Sequence, residues 1–426
     1  MNKRQYRKFI SWLLKPLVRA VIRKYQPRII AITGSVGKTS AKEAIFAVLK
    51  NKYRVGRNAK NFNTELGLPL AVFGQEKTGG KNIFAWLRVI LKALHLIIFT
   101  NKKYPEVLIL EMGADRPGDI KYLTSLAKPD IAVITTIGQS HIEYFGTIEN
   151  IAKEKISLID RLDKEDFIVI NGDDPYLQSV IKNKKTPVRT FGQSKDCDVK
   201  ISNVRLVYHN ETFGTNFKLN YQGAELPIFL PNILGSQHAM AAAAACSVAL
   251  VMGLNLVESS INIQDYQAAL GRTKLLPGVK NSWLIDDSYN SSPQSSKVAL
   301  EILSQMPSEG RKIAVLGDML ELGAQSEREH NLIGQLVFAL KIDYLFVVGE
   351  RSRDIARGAI AAGMSEDKIF HFPQTFEAGS FLQERLKPND VVLIKGSRGI
   401  KMEQIVYELM ARPWDASEYL VASVKK

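Results

Sequence analysis

The sequence predicts an α/β protein with two successive α/β units and a β-hairpin region within the first. Apolar β-type runs at 107–111, 131–137 and 167–170 alternate with helix-compatible stretches, which is typical of a mainly parallel sheet. Residues 196–230 are instead rich in Val, Thr, Phe and Tyr and carry turn signals that favour hairpins. A second alternation follows in the last third of the chain. We therefore expect a central α/β domain with a mainly parallel sheet and a Rossmann-like C-terminal α/β domain.

The domain boundary should fall between Gly271 and Gly278, where Gly and Pro punctuate the chain. An Ala-rich helix is predicted over 239–254, before this boundary. The predicted strands after it are 283–287, 312–316, 344–348, 369–372 and 390–394. The 426 residues are thus divided into an N-terminal segment, a central domain and a C-terminal domain, which span 1–28, 29–271 and 272–426.

A glycine-flanked turn follows the first predicted strand of the central domain. Residues 29–40 read IIAITGSVGKTS, and a helix-compatible run continues to Leu49. Backbone N–H groups of such a turn can cradle phosphate oxygens, and the helix N-terminus adds the positive end of its dipole. In such a P-loop Lys38 would reach the outer phosphates and Thr39 would bind Mg²⁺. The predicted nucleotide-binding residues of this segment are Gly34, Ser35, Gly37, Lys38, Thr39 and Ser40.

The match to the general P-loop pattern is incomplete, because Ile32 stands where that pattern has a glycine. A strand–helix turn that binds no ligand is therefore the alternative. Strand, turn, Lys-Thr and helix nevertheless occur in the order that phosphate binding needs.

Three further residues of the first half are candidates for chemistry. Glu111 ends a predicted strand, which places a carboxylate where a Mg²⁺ ligand is expected. His141 follows the run 131–137; a lone histidine is more often structural, but ligands collect at such strand ends. Lys155 lies on a predicted helix, where lysines are usually solvated, and the sequence does not distinguish it from Lys153.

Polar side chains also follow three predicted strands of the C-terminal half. Because the carboxyl ends of parallel strands meet at one edge of a sheet, we expect a binding crevice there. The residues of these clusters are Asp286, Asp287, Tyr289, Asn290, Asp318, Lys395, Ser397 and Arg398.

Eight motifs in this order resemble the Mur ligases, the ATP-dependent amide-bond ligases of peptidoglycan precursor synthesis. The motifs are TGSVGKTS, NFNTELGLPL, EMGADRPGDI, IGQSHIEYFGT, NGDDP, IDDSYNSSP, VLGDMLELG and KGSRG. The resemblance runs from about Ile29 to Val406. The MLELG and DDSYNSSP motifs favour the branch that adds D-Ala-D-Ala to a UDP-MurNAc-peptide.

The resemblance implies a role for each matching position. Lys38 and Thr39 correspond to the residues that bind the ATP phosphates and Mg²⁺, and Glu111 and His141 correspond to Mg²⁺ ligands. Lys155 corresponds to a lysine that is carbamylated in the family and helps to hold a second Mg²⁺. The implied catalytic residues are Lys38, His141 and Lys155. The further implied ATP contacts are Arg272, Asp287, Tyr289 and Asn290. The implied substrate contacts are Asn63 and Thr64 in one loop, and Lys395, Ser397 and Arg398 facing the amine.

The chain also departs from the family pattern. Family members carry an N-terminal domain that binds the UDP-sugar, whereas about 28 residues precede the P-loop strand here, which leaves the carboxylate substrate open. The segment GSQHAM at 235–240 departs from the family's Gly-Arg-His-Asn pattern, and Ser292 stands where asparagine is usual.

Two segments carry the excess of positive charge, which is +14 for the chain. Residues 1–28 hold nine Lys and Arg, residues 77–105 hold six, and neither segment has an acidic residue. The remaining 42 basic residues nearly balance the 43 acidic ones. Both segments are amphipathic, so each either lies on an anionic membrane surface or packs on the body with a solvated basic face. Neither has the roughly 20 uninterrupted apolar residues that span a bilayer.

The remaining features bear on location and partners. Cys197 and Cys246 show neither metal-ligand spacing nor a disulfide framework, which favours a reducing, cytoplasmic setting. We expect a monomer that acts on small molecules and binds no nucleic acid, since no nucleic-acid module is recognisable. Two alternatives stay open: a ligase resembling folylpolyglutamate synthetases that acts on another carboxylate and amino acid, and a membrane-docked NTPase without ligase activity.

Overall fold

Two β-sheets organise the protein in the computed structural model, which describes residues 3–58, 62–75, 82–140, 142–183, 186–209 and 212–422. The strands are β1 (Arg28–Thr33), β2 (Val55–Arg57), β3 (Val107–Glu111), β4 (Ile131–Ile134), β5 (Phe167–Asn171), β6 (Val188–Gly192), β7 (Val199–His209), β8 (Thr212–Tyr221), β9 (Ala224–Pro231), β10 (Lys274–Pro277), β11 (Trp283–Asp287), β12 (Lys312–Gly317), β13 (Tyr344–Val348), β14 (Ile369–Phe372) and β15 (Val391–Lys395). The helices are α1 (Lys3–Tyr25), α2 (Lys38–Leu49), α3 (Gly67–Val72), α4 (Ile83–Ile98), α5 (Asp119–Leu126), α6 (Ile142–Phe145), α7 (Ile148–Ile156), α8 (Pro175–Asn183), α9 (Ser236–Val251), α10 (Leu256–Asn262), α11 (Pro293–Gln305), α12 (Ser326–Ala339), α13 (Arg353–Ala362), α14 (Thr375–Arg385), α15 (Glu403–Leu409) and α16 (Ala416–Tyr419).

The first sheet has the strand order β2-β3-β1-β4-β5-β6-β7-β8-β9 within the described residues. Its pairs from β2 to β7 are parallel, and β7, β8 and β9 are antiparallel. The second sheet has the order β10-β11-β15-β12-β13-β14 and is parallel apart from β10. The predicted α/β class, with a mainly parallel sheet, a hairpin region and a second α/β unit, is confirmed. The exact domain division stays a prediction.

Helices cover both faces of the first sheet, so its central strands are buried throughout. Helices α1, α3, α4, α5 and α7 pack on one face, and α2 and α9 pack on the other. The run Ala241–Ala245 in α9 is buried. Because these side chains are small, α9 lies close to both α2 and the strands beneath it.

The predicted strands lie close to the observed ones, with one informative exception. The run 131–137 continues as a strand only to Ile134, since the chain then turns toward the P-loop. Thr135 Oγ1 donates a hydrogen bond to the Val36 carbonyl at 2.6 Å, and Val36 forms an antiparallel bridge with Thr136. The loop that follows β4 is thereby fixed beside the P-loop.

Helices α1 and α4, which lie within the two basic segments, pack on the protein body. The side chains of Leu14, Val18 and Val21 in α1 are fully buried, and α1 contacts α4. No helix in the described part of the chain is both long and apolar enough to cross a membrane.

Candidate active site

A cleft of about 570 Å³ lies where the two sheets present the carboxyl ends of their strands. Glu111, Asp287 and Lys395 line it, and they are the last residues of β3, β11 and β15 respectively. The cleft therefore combines the edges of both sheets, which is where open α/β folds bind ligands.

The P-loop between β1 and α2 depends on two glycines. Gly34 has φ +149°, and a Cβ atom there would lie 2.0 Å from Thr135 Oγ1. Gly37 precedes α2 in the left-handed region, with φ +89°. A side chain at either position would strain the turn or clash with the loop after β4. The first residues of α2 line the cleft, and the first N–H groups of a helix have no partner within it, so they can bind phosphate.

Lys38 folds back over this loop. Its Nζ donates hydrogen bonds to the carbonyl oxygens of Gly34 at 2.6 Å and Ser35 at 3.3 Å. Burial lowers the pKa of Lys38, the Glu111 carboxylate opposes this shift, and the Arg272 charge adds to it. An anion placed in the loop would relieve the cost of burying these positive charges.

Thr39 and Glu111 bring two oxygen ligands together at the mouth of the loop. Thr39 Oγ1 donates to Glu111 Oε2 at 2.9 Å, and Asn63 Nδ2 donates to Glu111 Oε1 at 2.9 Å. The buried Lys42 Nζ lies 3.9 Å from Glu111 Oε2. A hydroxyl and a carboxylate beside a phosphate-binding turn are the oxygen donors that Mg²⁺ prefers, so these residues fit the predicted metal. In the described ranges no three His, Cys, Asp or Glu residues form a metal-binding cluster.

Lys155 is buried at the end of α7, whereas Lys153 is exposed. Burial and the positive charge of Lys38 lower the pKa of Lys155 from 10.5 to about 7, against opposing effects of Glu154 and Asp115. The structure thus distinguishes the two lysines that the sequence could not. The lowered pKa raises the uncharged fraction of the Lys155 amine near neutral pH, and only the uncharged amine is a nucleophile.

His141 lies outside the described residues, so its predicted role as a metal ligand stays a prediction. Hydrogen bonds connect the loop just before it to the P-loop. Ser35 Oγ donates to the Gly138 carbonyl at 2.8 Å and accepts from the Gly138 N–H at 2.9 Å. The P-loop therefore holds this loop at the edge of the cleft.

The C-terminal half contributes the opposite wall. Lys395 Nζ donates to Asp287 Oδ2 at 2.6 Å and to the Asn290 carbonyl at 2.9 Å. The Arg272 guanidinium lies over the Tyr289 ring, 4.3 Å from its centroid. Burial lowers the pKa of Lys395, and Asp287 opposes the shift. The predicted nucleotide contacts of this half thus line one cleft with the P-loop.

Three predicted substrate residues lie outside the cleft lining of the described structure. Ser397 Oγ accepts from the Leu320 N–H at 2.9 Å, and Arg398 Nη1 pairs with Glu403 Oε1 at 2.8 Å. The Thr64 carbonyl oxygen accepts a hydrogen bond from the Leu68 N–H at 3.0 Å. By contrast, Asn63 and Ser40 do line the cleft.

Two cleft residues were not assigned from the sequence. Asp115 lines the cleft and acts electrostatically on both Lys38 and Lys155. Because Asp115 lies just beyond the end of β3, its sequence position could have indicated that it lines the cleft. His238 Nδ1 lies 2.8 Å from the Tyr266 hydroxyl, and burial lowers its pKa to about 4, so it is neutral at pH 7. No sequence motif indicates that His238 and Tyr266 meet in the fold.

Comparison with protein-family models defines the class of this protein. Residues 91–249 match the Mur ligase middle domain, and residues 271–398 match the Mur ligase glutamate ligase domain. The first match covers β3 to β9 of the first sheet, and the second covers β10 to β15 of the second sheet.

Individual relatives narrow the assignment. The UDP-N-acetylmuramoyl-tripeptide–D-alanyl-D-alanine ligase of Bacillus subtilis strain 168 is 32% identical over 400 residues, which cover 94% of this chain and 79% of that protein. Its Escherichia coli K12 counterpart is 30% identical over 92% of this chain and 78% of its own length. The crystal structure of MurF ligase from Thermotoga maritima in complex with ADP has a TM-score of 0.77 at 27% identity, covering 93% of this chain and 83% of that one. The chain therefore belongs to the Mur ligase family, within its branch of UDP-N-acetylmuramoyl-tripeptide–D-alanyl-D-alanine ligases, or MurF.

Proposed function

We propose that the protein uses ATP to join D-Ala-D-Ala to a UDP-MurNAc-peptide in peptidoglycan precursor synthesis. The observation that carries this proposal is the cleft itself, where a P-loop, an oxygen-ligand pair and a lysine–aspartate pair from both sheets meet. A carboxylate and an amine do not condense unaided at neutral pH. The carboxylate oxygen first bonds to the γ-phosphorus of ATP, and ADP leaves as the β–γ bridge breaks. The amine then bonds to the acyl carbon, releases a proton and displaces phosphate.

The P-loop wall stabilises the phosphoryl group during the first step. When ATP binds, the Lys38 ammonium leaves the carbonyl oxygens of Gly34 and Ser35 and contacts phosphate oxygens instead. Its charge then neutralises negative charge on the phosphates. Thr39 and Glu111 would hold Mg²⁺, with His141 as a further ligand. When bound, Mg²⁺ neutralises charge on the phosphates. Asn63 keeps Glu111 oriented by its 2.9 Å hydrogen bond.

We infer that Lys155 is carbamylated, and the carbamate would then help to hold a second Mg²⁺. Its neutral amine adds to CO₂, a nitrogen–carbon bond forms and one proton is released. The low pKa of about 7 supports this step, because only the uncharged amine reacts. The product is an anion, so repulsion between the charges of Lys155 and Lys38 becomes attraction.

The opposite wall binds the nucleotide and the amine. Arg272 approaches the ATP phosphates while Tyr289 supports its guanidinium, and Asp287 and Asn290 complete the nucleotide contacts. The substrate contacts are Asn63 and Thr64 on one side, and Lys395, Ser397 and Arg398 on the amine side. With the domain division at 271/272, closure of residues 272–426 over residues 29–271 brings the off-cleft residues nearer and excludes water from the acyl phosphate.

The protein acts as a monomer in the cytoplasm. One chain supplies both walls of the cleft, and Cys197 and Cys246 are free thiols. Sedimentation equilibrium across a range of concentrations measures the oligomeric state, and a concentration-dependent mass increase would contradict the monomer.

A substrate panel tests the proposed function. The purified protein is given ATP with UDP-MurNAc-tripeptide or a folyl-monoglutamate, each with D-Ala-D-Ala or L-glutamate, and products are identified by mass spectrometry. We expect a product only from UDP-MurNAc-tripeptide with D-Ala-D-Ala. A glutamate adduct of the folate would support the folylpolyglutamate-like alternative instead.

A further inference from the structure

Helix α4 is apolar on two opposite faces. Its inner face packs on the protein core through Trp86, Val89, Ala93 and Leu96. Its outer face is a continuous apolar stripe at helical spacing, formed by Phe84, Leu87, Leu91, Leu94 and Ile98. Phe84 is 77% exposed and Ile98 is 67% exposed. A surface helix normally presents polar residues outward, so this stripe indicates a partner surface.

Helix α1 also exposes two aromatic residues. Phe9 and Trp12 are exposed, and their rings stack with centroids 6.4 Å apart. The two helices are fastened to each other, because Lys24 Nζ donates to the carbonyl oxygens of Leu96 and Ile97 at 3.1 and 2.9 Å. They therefore form one surface, which we call the α1/α4 surface.

The charges of this surface are positive. A groove of about 840 Å³ along α1 is lined by Trp12 together with Lys15, Arg19 and Arg23. Arg88 and Lys92 flank the apolar stripe of α4. The sequence has no acidic residue within 1–28 or 77–105. Apolar side chains bordered by cations complement a partner that is apolar inside and anionic at its surface.

We propose that the α1/α4 surface docks the protein on an anionic phospholipid bilayer. The stripe enters the interface between headgroups and acyl chains, and the basic residues pair with lipid phosphates. A nucleic acid would pair with the basic side chains but would leave the exposed apolar side chains of α4 in water. A second copy of this chain would bring two basic surfaces together. The bilayer is the partner that satisfies both features.

Vesicle flotation of the full chain tests this proposal. Neutral phosphatidylcholine vesicles are compared with vesicles that contain about 30 mol% phosphatidylglycerol, at low salt and at about 0.5 M salt. We expect binding to the anionic vesicles at low salt, with at least a tenfold loss at high salt. No binding at low salt, or equal binding to neutral vesicles, would overturn the proposal.

Point variants locate the binding surface without removing α1, whose buried face belongs to the core. Leu91→Glu and Arg23→Glu should each reduce vesicle binding at least tenfold. The matched controls Ile261→Glu and Arg328→Glu alter exposed residues on other helices and should bind like the wild type. Melting temperature and phosphate release should be unchanged in all four. If Leu91→Glu instead abolishes self-association of a chain that never binds vesicles, the surface is a contact between copies and the proposal fails.

Discussion

The two walls of the cleft handle buried positive charge in opposite ways. On the C-terminal wall, Lys395 has a carboxylate partner 2.6 Å away in Asp287. On the P-loop wall, Lys38 Nζ contacts carbonyl oxygens, and the charge of Lys38 adds to the depression of the Lys155 pKa. A paired buried charge holds structure together, whereas an under-compensated one favours an incoming anion. We therefore propose that the Lys395–Asp287 pair supports the nucleotide and amine contacts of the first wall, and that phosphate and carbamate are stabilised at the second.

The largest expected effect follows removal of the P-loop charge. Lys38→Ala should lower kcat by roughly 10²- to 10³-fold, since a main electrostatic stabiliser of the transferred phosphoryl group is lost. The melting temperature of the variant should not fall, because a half-buried, under-compensated cation is removed. Steady-state phosphate release and thermal melting measure the two quantities.

The control for this variant is Lys50→Ala, which removes a surface ion pair at the far end of the same helix. It should retain normal turnover. Near-normal turnover in folded Lys38→Ala protein would refute the assignment of the loop to ATP.

Removal of the Lys155 amine should nearly abolish activity. Lys155→Ala loses the carbamate, and loss of a metal-site group typically costs up to about 10²-fold. Added bicarbonate or a short carboxylic acid should restore part of the rate by supplying an anion to the space left behind. The exposed Lys153→Ala should change stability by less than about 0.5 kcal/mol and leave the rate intact. If Lys155→Ala and Lys153→Ala turn over at equal rates, Lys155 is not part of the active site.

Breaking the buried Lys395–Asp287 pair on the C-terminal wall should lower the free energy of unfolding. Asp287→Asn leaves Lys395 buried without its counter-ion, and breaking such a pair costs about 3–5 kcal/mol. The double variant Asp287→Asn/Lys395→Met should recover most of that loss, because no uncompensated charge remains. Urea unfolding of the singles and the double completes the cycle. If the destabilisations of the two single variants simply add in the double variant, the two side chains do not stabilise the fold as a pair.

The smallest effect concerns pH. The pKa of Lys155 is about 7 in the folded chain against an ordinary 10.5, so between these values the unfolded chain binds a proton that the folded chain lacks. The lysine therefore destabilises the wild type most at and below pH 7, and this penalty fades as pH rises toward 10.5. In CO₂-free buffer the melting temperature of Lys155→Met should exceed that of the wild type by a margin that shrinks across this range. If the difference in melting temperature between the two proteins does not change with pH, burial does not lower the pKa of Lys155 as described.

The sequence allowed the P-loop to be predicted because its parts are contiguous. Strand, turn, Lys38, Thr39 and helix follow one another within a short segment, and local geometry defines their function. Glu111 and Asp287 could be placed because strand ends in parallel sheets share an edge. Fold class followed from the alternation of apolar runs for the same local reason.

Features that depend on distant contacts could not be predicted in this way. Burial of Lys155 rather than Lys153 depends on how α7 packs against the body, and the Tyr266 partner of His238 is 28 residues away. The predicted strand 131–137 ended early because Thr135 bonds to the P-loop, a contact across 99 residues. Side-chain roles that arise from tertiary packing therefore need the structure.

The central claim is that this cleft couples ATP cleavage to ligation. Phosphate release from ATP, measured with UDP-MurNAc-tripeptide and D-Ala-D-Ala together and with each omitted, tests it most directly. We predict sustained release only when both substrates are present, with one phosphate per molecule of ligated product. Equal release with neither substrate present would contradict the account and identify the protein as an NTPase without ligase activity.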